Sequence, residues 1–225
     1  DGNKEMIITK GKPIDEILKY LEGAKEIFIA GCAQCATVCK TGGEDEVKKM
    51  QELLKEHGKN VVAIEVWDPP CHLLEVKKRA RENKAAVDKA DVILSMSCGD
   101  GCYTIFHGTG KKVVPATDTL FLGEAERAGH FAETCSLCGE CTLFMTGGYC
   151  PNTFCPKGLQ NGPCGGVKDG KCEVSPDIDC GWLLIYNRLK DLGELDKMKK
   201  VHPPKDHSKS IKPRKVVVNA VKSRI

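Results

Sequence analysis

The sequence predicts an α/β chain in three parts: a parallel-sheet domain over residues 6–128, a small irregular cysteine-rich domain over 129–196 that ends in a helix, and an extended basic tail over 197–225. Three observations predict it. Over the first 125 residues, short apolar strand patterns alternate with helical ones, which implies a parallel sheet with helices on its faces. Over 130–180 both periods vanish and glycine, proline and cysteine dominate. From residue 197 the charge turns strongly basic.

The first domain reads element by element. Ile14, Ile17, Leu18 and Leu21 recur at helical spacing behind Pro13. Residues 26–30 form an apolar strand that runs into Gly31 and a cysteine loop over 32–43. A helix starts near Glu44, with three acidic residues in its first turn and Val47, Met50 and Leu54 on one face, and stops at Gly58. Strands follow over 61–66, 91–96 and 113–116, with a turn over 68–71 and a helix over 73–86 between the first two. This alternation is Rossmann-like. In an open sheet of that kind the carboxyl edge is where ligands bind. Cys32, Cys71 and Cys98 each follow a strand, so residues far apart in sequence are expected to converge there.

A structureless segment as long as 130–180 fits poorly inside a compact domain, unless metal ligation supplies the folding energy that an apolar core lacks. A helix then covers 178–192, with Trp182, Ile185, Leu189 and Leu192 on one side and Gly193 as the stop; Trp182 reads as a core residue.

Composition narrows the function classes. The chain has 14 cysteines in 225 residues, too sparse for a short disulfide scaffold. No secretory signal is visible and no apolar run is long enough to span a membrane, so a reducing cytoplasm with free thiols is expected. The net charge of +3 is uneven: residues 197–225 hold ten Lys or Arg and one Asp, a charge of +9, which leaves 3 − 9 = −6 on the rest. A basic, proline-bearing tail after an acidic body suggests a segment that lies on another surface, and residues 216–218 suit an added strand. The tail has no aromatic residue to stack on bases, which argues against nucleic acid.

The cysteines carry the chemistry. Cys135-x2-Cys138-x2-Cys141 is the opening of the bacterial ferredoxin run, whose spacing lets three thiolates wrap one cubane. The fourth position is displaced to Cys150, which precedes Pro151; Cys155-Pro156 repeats the step, and Cys164, Cys172 and Cys180 follow. Eight thiolates suit two four-cysteine clusters. Zinc is the rival, though it typically takes two C-x2-C pairs, and it stays open for one site. In the first domain Cys32, Cys35 and Cys39 offer three ligands, with Cys98 as the fourth and Cys71 as its competitor. Cys102 reads as a small buried hydrophobe. A redox-active C-x-x-C disulfide is the alternative for that loop. His72 is the one histidine worth testing as a ligand. The Gly-Thr-Gly of 108–110 is no dinucleotide fingerprint, and Gly42-Gly43 reads as a tight turn before a phosphate cradle.

Three stretches carry a resemblance: Gly31-Cys-Ala-Gln-Cys-Ala-Thr-Val-Cys-Lys-Thr-Gly-Gly43, Cys155-Pro-Lys-Gly-Leu-Gln-Asn-Gly-Pro-Cys-Gly-Gly166, and Gly170-Lys-Cys-Glu-Val174 running to Cys180-Gly-Trp182. Together they resemble the methylenetetrahydrofolate reductase C-terminal domain family, from about residue 6 into the tail. A free-standing chain of this size resembles the MetV-type small subunits of acetogenic bacteria. The resemblance implies a partner, a flavin-binding barrel subunit whose FMN reduces methylene-tetrahydrofolate to methyl-tetrahydrofolate. It implies that this chain carries two or three [4Fe-4S] clusters and relays electrons from ferredoxin or another donor in one-carbon metabolism, without catalysing the reaction alone. Cys102 and the Cys71-His72 pair are uncertain matches to the family pattern. The alternative is a zinc-stabilised module that docks the flavin subunit.

Overall fold

The computed structural model describes residues 6–216 and divides the chain into two units, one reaching Glu133 and one starting at Thr134. Nine residues of the basic tail, two of them from the 216–218 run, lie outside the described residues. Among the described residues no helix is long and apolar enough to cross a membrane.

The first unit begins with β1 (Met6–Gly11), α1 (Ile14–Tyr20), β2 (Glu26–Cys32), the single turn α2 (Cys35–Val38), α3 (Glu44–Glu56) and β3 (Asn60–Trp67). It continues through α4 (Leu73–Glu82), α5 (Lys84–Lys89), β4 (Val92–Met96), α6 (Gly99–Thr109) and β5 (Val113–Pro115), then β6 (Thr117–Arg127) and β7 (His130–Cys135). A parallel four-stranded sheet runs in the order β3-β2-β4-β5, as the alternating pattern predicts. A second sheet, β1-β6-β7, has β1 antiparallel to β6.

Both faces of the parallel sheet are covered, so its strands are apolar on alternate and intervening residues alike. From β2, Ile27 and Ile29 pack with Ile17, Leu21, Val47 and Leu54 of the α1 and α3 side. Phe28 and Ala30 point the other way and pack with Val76, Val87 and Ile105 of the α4, α5 and α6 side. The Phe28 and Trp67 rings meet there with centroids 6.0 Å apart. Such interdigitation fixes strand order and hence the level at which each strand ends.

In the second unit the expected 178–192 helix starts only at Gly181, because Ile178 lies in a strand over Ser175–Asp179. In the first unit sequence and structure differ at three places. The 73–86 helix breaks at Asn83, whose side-chain amide bonds Glu65 at 2.7 Å and the Arg79 carbonyl at 3.1 Å. The glycine-rich 99–109 segment is a helix despite Gly99, Gly101 and Gly108. There the close fit explains the glycines: a Cβ at Gly101 would overlap Ser97, and one at Gly108 would meet Val76 at 2.6 Å. In the antiparallel sheet, β6 and β7 carry charged, partly exposed residues rather than an apolar run.

The second unit has α7 (Pro151–Phe154), the two-stranded ribbon β8 (Lys171–Cys172) and β9 (Ser175–Asp179), and α8 (Gly181–Asp191). Its core is small: Trp182, Ile185 and Leu189 of α8 are buried, with Tyr149, Leu159, Leu195 and Met198 packed on them.

At the amino edge of the parallel sheet, the Asp91 carboxylate accepts from the Lys25 and Glu26 amides at 2.8 and 2.9 Å, tying β2 to β4. Those amides, Glu26 first, hold its carboxyl below the ordinary value of 3.8. A depressed folded-state pKa contributes stability above the unfolded value and loses it as pH falls through the folded value. Asp91→Ala therefore lowers the melting temperature at pH 7, and the gap to wild type narrows below about pH 4, measured by circular dichroism. A gap that stays constant from pH 7 to pH 3 contradicts this role.

Candidate metal centres

The register of the parallel sheet puts three loops at one level. Gly31 of β2 lies opposite both Val66 of β3 and Met96 of β4, and Cys32 lies opposite Trp67. Cys32 thus closes β2, Cys71 follows β3 by four residues, and Cys98 follows β4 by two. All fourteen thiols are free.

The electrostatics of these thiols shows which ones sit together. Burial pushes the Cys32 thiol up, and Cys35 and Cys98 add to the rise. Cys71 rises through burial and through Asp100, Cys98 and Cys32. Cys98 rises through burial, with Asp100 and Cys35 adding, while the Gly101 and Asp100 amides oppose it. Those amides belong to the first turn of α6, which Cys98 caps. Cys32, Cys35, Cys71 and Cys98 therefore form one neighbourhood. Cys39 faces elsewhere, with its thiol 3.8 Å from the Ile7 carbonyl. The Cys102 thiol is held against Ser97, 3.8 Å from its carbonyl and 4.0 Å from its hydroxyl, and burial pushes it up. His72 caps α4, its Nδ1 accepting from the Glu75 amide at 3.3 Å.

The loop that carries Cys35 is locked from several sides. The Cys32 amide donates to the Gly42 carbonyl at 2.8 Å, and the Thr37 hydroxyl donates to the Cys32 carbonyl at 2.7 Å. The Ala33 amide donates to the Trp67 carbonyl at 3.0 Å, and the Gln34 amide group bonds Asp68. On the Cys98 side, the Gly99 amide donates to Thr119 Oγ1 at 2.8 Å. Gly43 precedes α3, and its amide donates to Glu46 at 3.1 Å, so a carboxylate of the chain itself fills the turn considered as a phosphate cradle. The roles of Thr37, Asp68 and Thr119 leave no spacing signal in the sequence.

In the second unit, Cys135, Cys138 and Cys141 share a loop in which Leu137 (φ 55°) and Gly139 (φ 80°) reverse the backbone on either side of Cys138. The Leu137 amide donates to Cys135 Sγ at 3.4 Å. A tight turn lies between this loop and Cys150: the Met145 amide bonds the Thr142 carbonyl at 2.9 Å and the Gly148 amide bonds the Leu143 carbonyl at 3.0 Å. Cys150 and Cys180 cap α7 and α8, and a Cβ on Gly181 would strike the Phe154 carbonyl, so Cys155 and Cys180 flank one close backbone crossing. Both pack on the α8 core.

Cys164 joins the Cys155 neighbourhood through Lys157. The Gly166 amide and then Lys157 hold its thiol below the ordinary value. Lys157 in turn pairs with Glu173, beside Cys172. The Cys180 amide donates to the Gly170 carbonyl at 2.9 Å. Lys157, Glu173 and the Cys180–Gly170 bond thus link the segments that carry Cys155, Cys164, Cys172 and Cys180, while Cys135, Cys138 and Cys141 share a separate loop.

Among the described residues no group of three or more His, Cys, Asp or Glu is gathered tightly enough to hold one metal ion. Thiolates on a single tetrahedral zinc stand ~3.8 Å apart, given Zn–S of about 2.3 Å. Thiolates on a cubane bind separate irons and ring it more widely. Two buried hydroxyls, those of Thr142 and Thr153, have no hydrogen-bond partner, and they stand beside Cys141 and between Cys150 and Cys155.

The cradle at the sheet edge depends on Gly42, where a Cβ would overlap the Met96 carbonyl. Gly42→Ala lowers unfolding free energy by about 1–3 kcal/mol in urea, the usual cost of overpacking. It also raises the alkylation rate of Cys32, read by mass spectrometry of the metal-free chain. Unchanged protection of Cys32 contradicts the packing argument.

Residues 114–208 match the family model described as methylene-tetrahydrofolate reductase C terminal. No curated protein matches the chain. The match begins within β5 and contains the Cys155–Gly166 and Cys180–Trp182 stretches, whereas the Gly31–Gly43 stretch lies outside it. This segment, with all eight cysteines of the second unit, is what links the chain to methylenetetrahydrofolate reductases.

Proposed function

We propose that the chain is an electron-transfer subunit. Its cysteines hold [4Fe-4S] clusters, and it passes electrons to or from a flavin-containing methylenetetrahydrofolate reductase subunit during reduction of methylene-tetrahydrofolate to methyl-tetrahydrofolate. The observation that carries the reading is the meeting of Cys32, Cys35, Cys71 and Cys98 from three loops at one sheet edge. Four soft sulfur donors from rigid elements suit iron–sulfur chemistry. The link to the reductase rests on the match over 114–208.

When bound, such clusters supply reversible one-electron transfer. The residues of this chain would position them and set their potentials. Cys32, Cys35, Cys71 and Cys98 are assigned to one cluster, with Cys71 taking the place that spacing alone gives to Cys39. The α6 amides near Cys98 favour negative charge there. Cys135, Cys138, Cys141 and Cys150 are assigned to a second. Cys155, Cys164, Cys172 and Cys180 are assigned to a third, or to zinc. The unpartnered Thr142 and Thr153 hydroxyls fit this donor set, since each can donate to a sulfur. FMN and folate belong to the partner barrel subunit, a cytoplasmic ferredoxin or similar carrier is the donor, and the chain is non-catalytic alone.

Anaerobic counts of iron, sulfide and zinc on the purified chain test the reading. Iron and sulfide are expected in near-equal amounts, about four of each per cluster. Cys71→Ser and Cys98→Ser each lose about four irons, while Cys102→Ser keeps them all. A colourless preparation with zinc alone defeats the proposal and leaves the docking module as the better account.

A further inference from the structure

The described part of the basic tail runs over the chain's own cysteine loop. Lys197 stands 3.9 Å above the Phe144 ring and donates to the Phe144 carbonyl at 2.8 Å. Five residues on, Asn161 clasps the His202 backbone from both sides: its side-chain amide donates to the His202 carbonyl at 3.0 Å, and the His202 amide donates to its Oδ1 at 2.7 Å. Pro203 and Pro204 then limit the backbone freedom of the segment that leads to Lys205.

Lys205 reaches the cysteine triplet. Its ammonium donates to Cys138 Sγ at 3.3 Å and to the Glu140 carbonyl at 3.0 Å. Beyond it the Asp206 amide donates to Glu140 Oε2 at 2.7 Å, Lys209 pairs with Glu140 at 3.6 Å, and Arg214 donates to the Leu137 carbonyl at 3.2 Å. Gly139 is required beneath this strap, because a Cβ there would sit 2.9 Å from the Lys209 carbonyl. Burial raises the Cys138 thiol, yet the Glu140 amide and the Lys205 ammonium outweigh burial and hold it below its ordinary value.

We propose that residues 197–214 form a strap in which Lys205 is the positioning residue that sets the reduction potential of the centre held by Cys135, Cys138 and Cys141. The proposal rests on the cluster reading above. Reduction adds negative charge next to the ligating sulfurs. An ammonium that donates to one of them favours the reduced form, and hydrogen bonds to cluster sulfur are a recognised lever on potential. The strap supplies what a loop cannot: it fixes the ammonium at a chosen sulfur through anchors on both sides, Asn161 before it and Glu140 after it. Asn161 belongs to the Gly-Leu-Gln-Asn-Gly string, so that string serves the strap as well as its own cysteines.

The test is a redox titration of the whole anaerobic chain, followed by electron paramagnetic resonance, alongside iron and sulfide counts. A Cys138→Ser variant identifies which signal belongs to the triplet. In Lys205→Met, with iron content unchanged, the triplet couple shifts toward the oxidised form by about tenfold, or about 59 mV for one electron, and the other couples stay in place. Lys205→Arg keeps the charge and stays near wild type. Asn161→Ala alters no charge but frees the strap, and it shifts the same couple in the same direction by a smaller amount. If Lys205→Met loses iron, Lys205→Gln, which keeps a donor without the charge, is read instead by the same criterion. Full iron with an unmoved couple in the Lys variant overturns this inference and leaves the proposed function intact. A wild-type chain without iron overturns both.

Discussion

The common level at which the parallel strands end is the constraint on which the rest of this structure depends. A parallel sheet ends its strands at a common level, and here three strand ends deliver thiols to it. Burial and mutual proximity both push the Cys32, Cys71 and Cys98 thiols up, so the bare edge disfavours the thiolates that metal binding needs. A cationic centre of the kind proposed would reverse that balance, because it would share the charge of every thiolate at once.

The two units solve the same problem with different means. In the first, an apolar core on both sheet faces holds the frame, and local bonds such as those of Thr37 and Gly42 only trim the loop. In the second, the core is one helix face with loops laid on it. Polar clasps do the joining there: Lys157 to Glu173, Trp182 to the Leu159 carbonyl, Asn161 to His202. The one ion pair among them, Lys157 with Glu173, is exposed and contributes little stability by itself. Ligation of eight thiols by metal would contribute far more, so folding of the second unit is expected to be coupled to its metal in a way that folding of the first is not.

Much of the first unit was legible because hydrophobic period and strand order are local signals. The alternation of β2, α3, β3, α4, β4 and β5 follows from it, and so does the edge on which Cys32, Cys71 and Cys98 converge. What stayed hidden depended on tertiary fit. No periodicity announces α6, whose glycines are there to let Ser97 and Val76 approach. The β6 and β7 strands carry no long apolar run and no strict alternation, so the sequence alone predicts no strand there. Cys39 looked equivalent to Cys35 by spacing, and only the direction of its thiol toward Ile7 separates them. His72 looked like a ligand because it follows Cys71, although its ring caps a helix.

The tail shows that a charged segment can find counterparts on its own chain as well as on a partner. Its +9 suggested a segment that lies on another surface, such as that of a partner. Through residue 214 the counterpart is nearer: the Phe144 ring, the carboxylate of Glu140, the carbonyls around the triplet and the sulfur of Cys138. A sequence shows how much charge a segment carries, but a lysine 67 residues from a cysteine leaves no spacing signal for their contact. The same cations that would draw the tail to a separate protein would, on this loop, offset the negative charge of the proposed centre. Through residue 214 the tail is thus part of the electrostatic environment of the second unit.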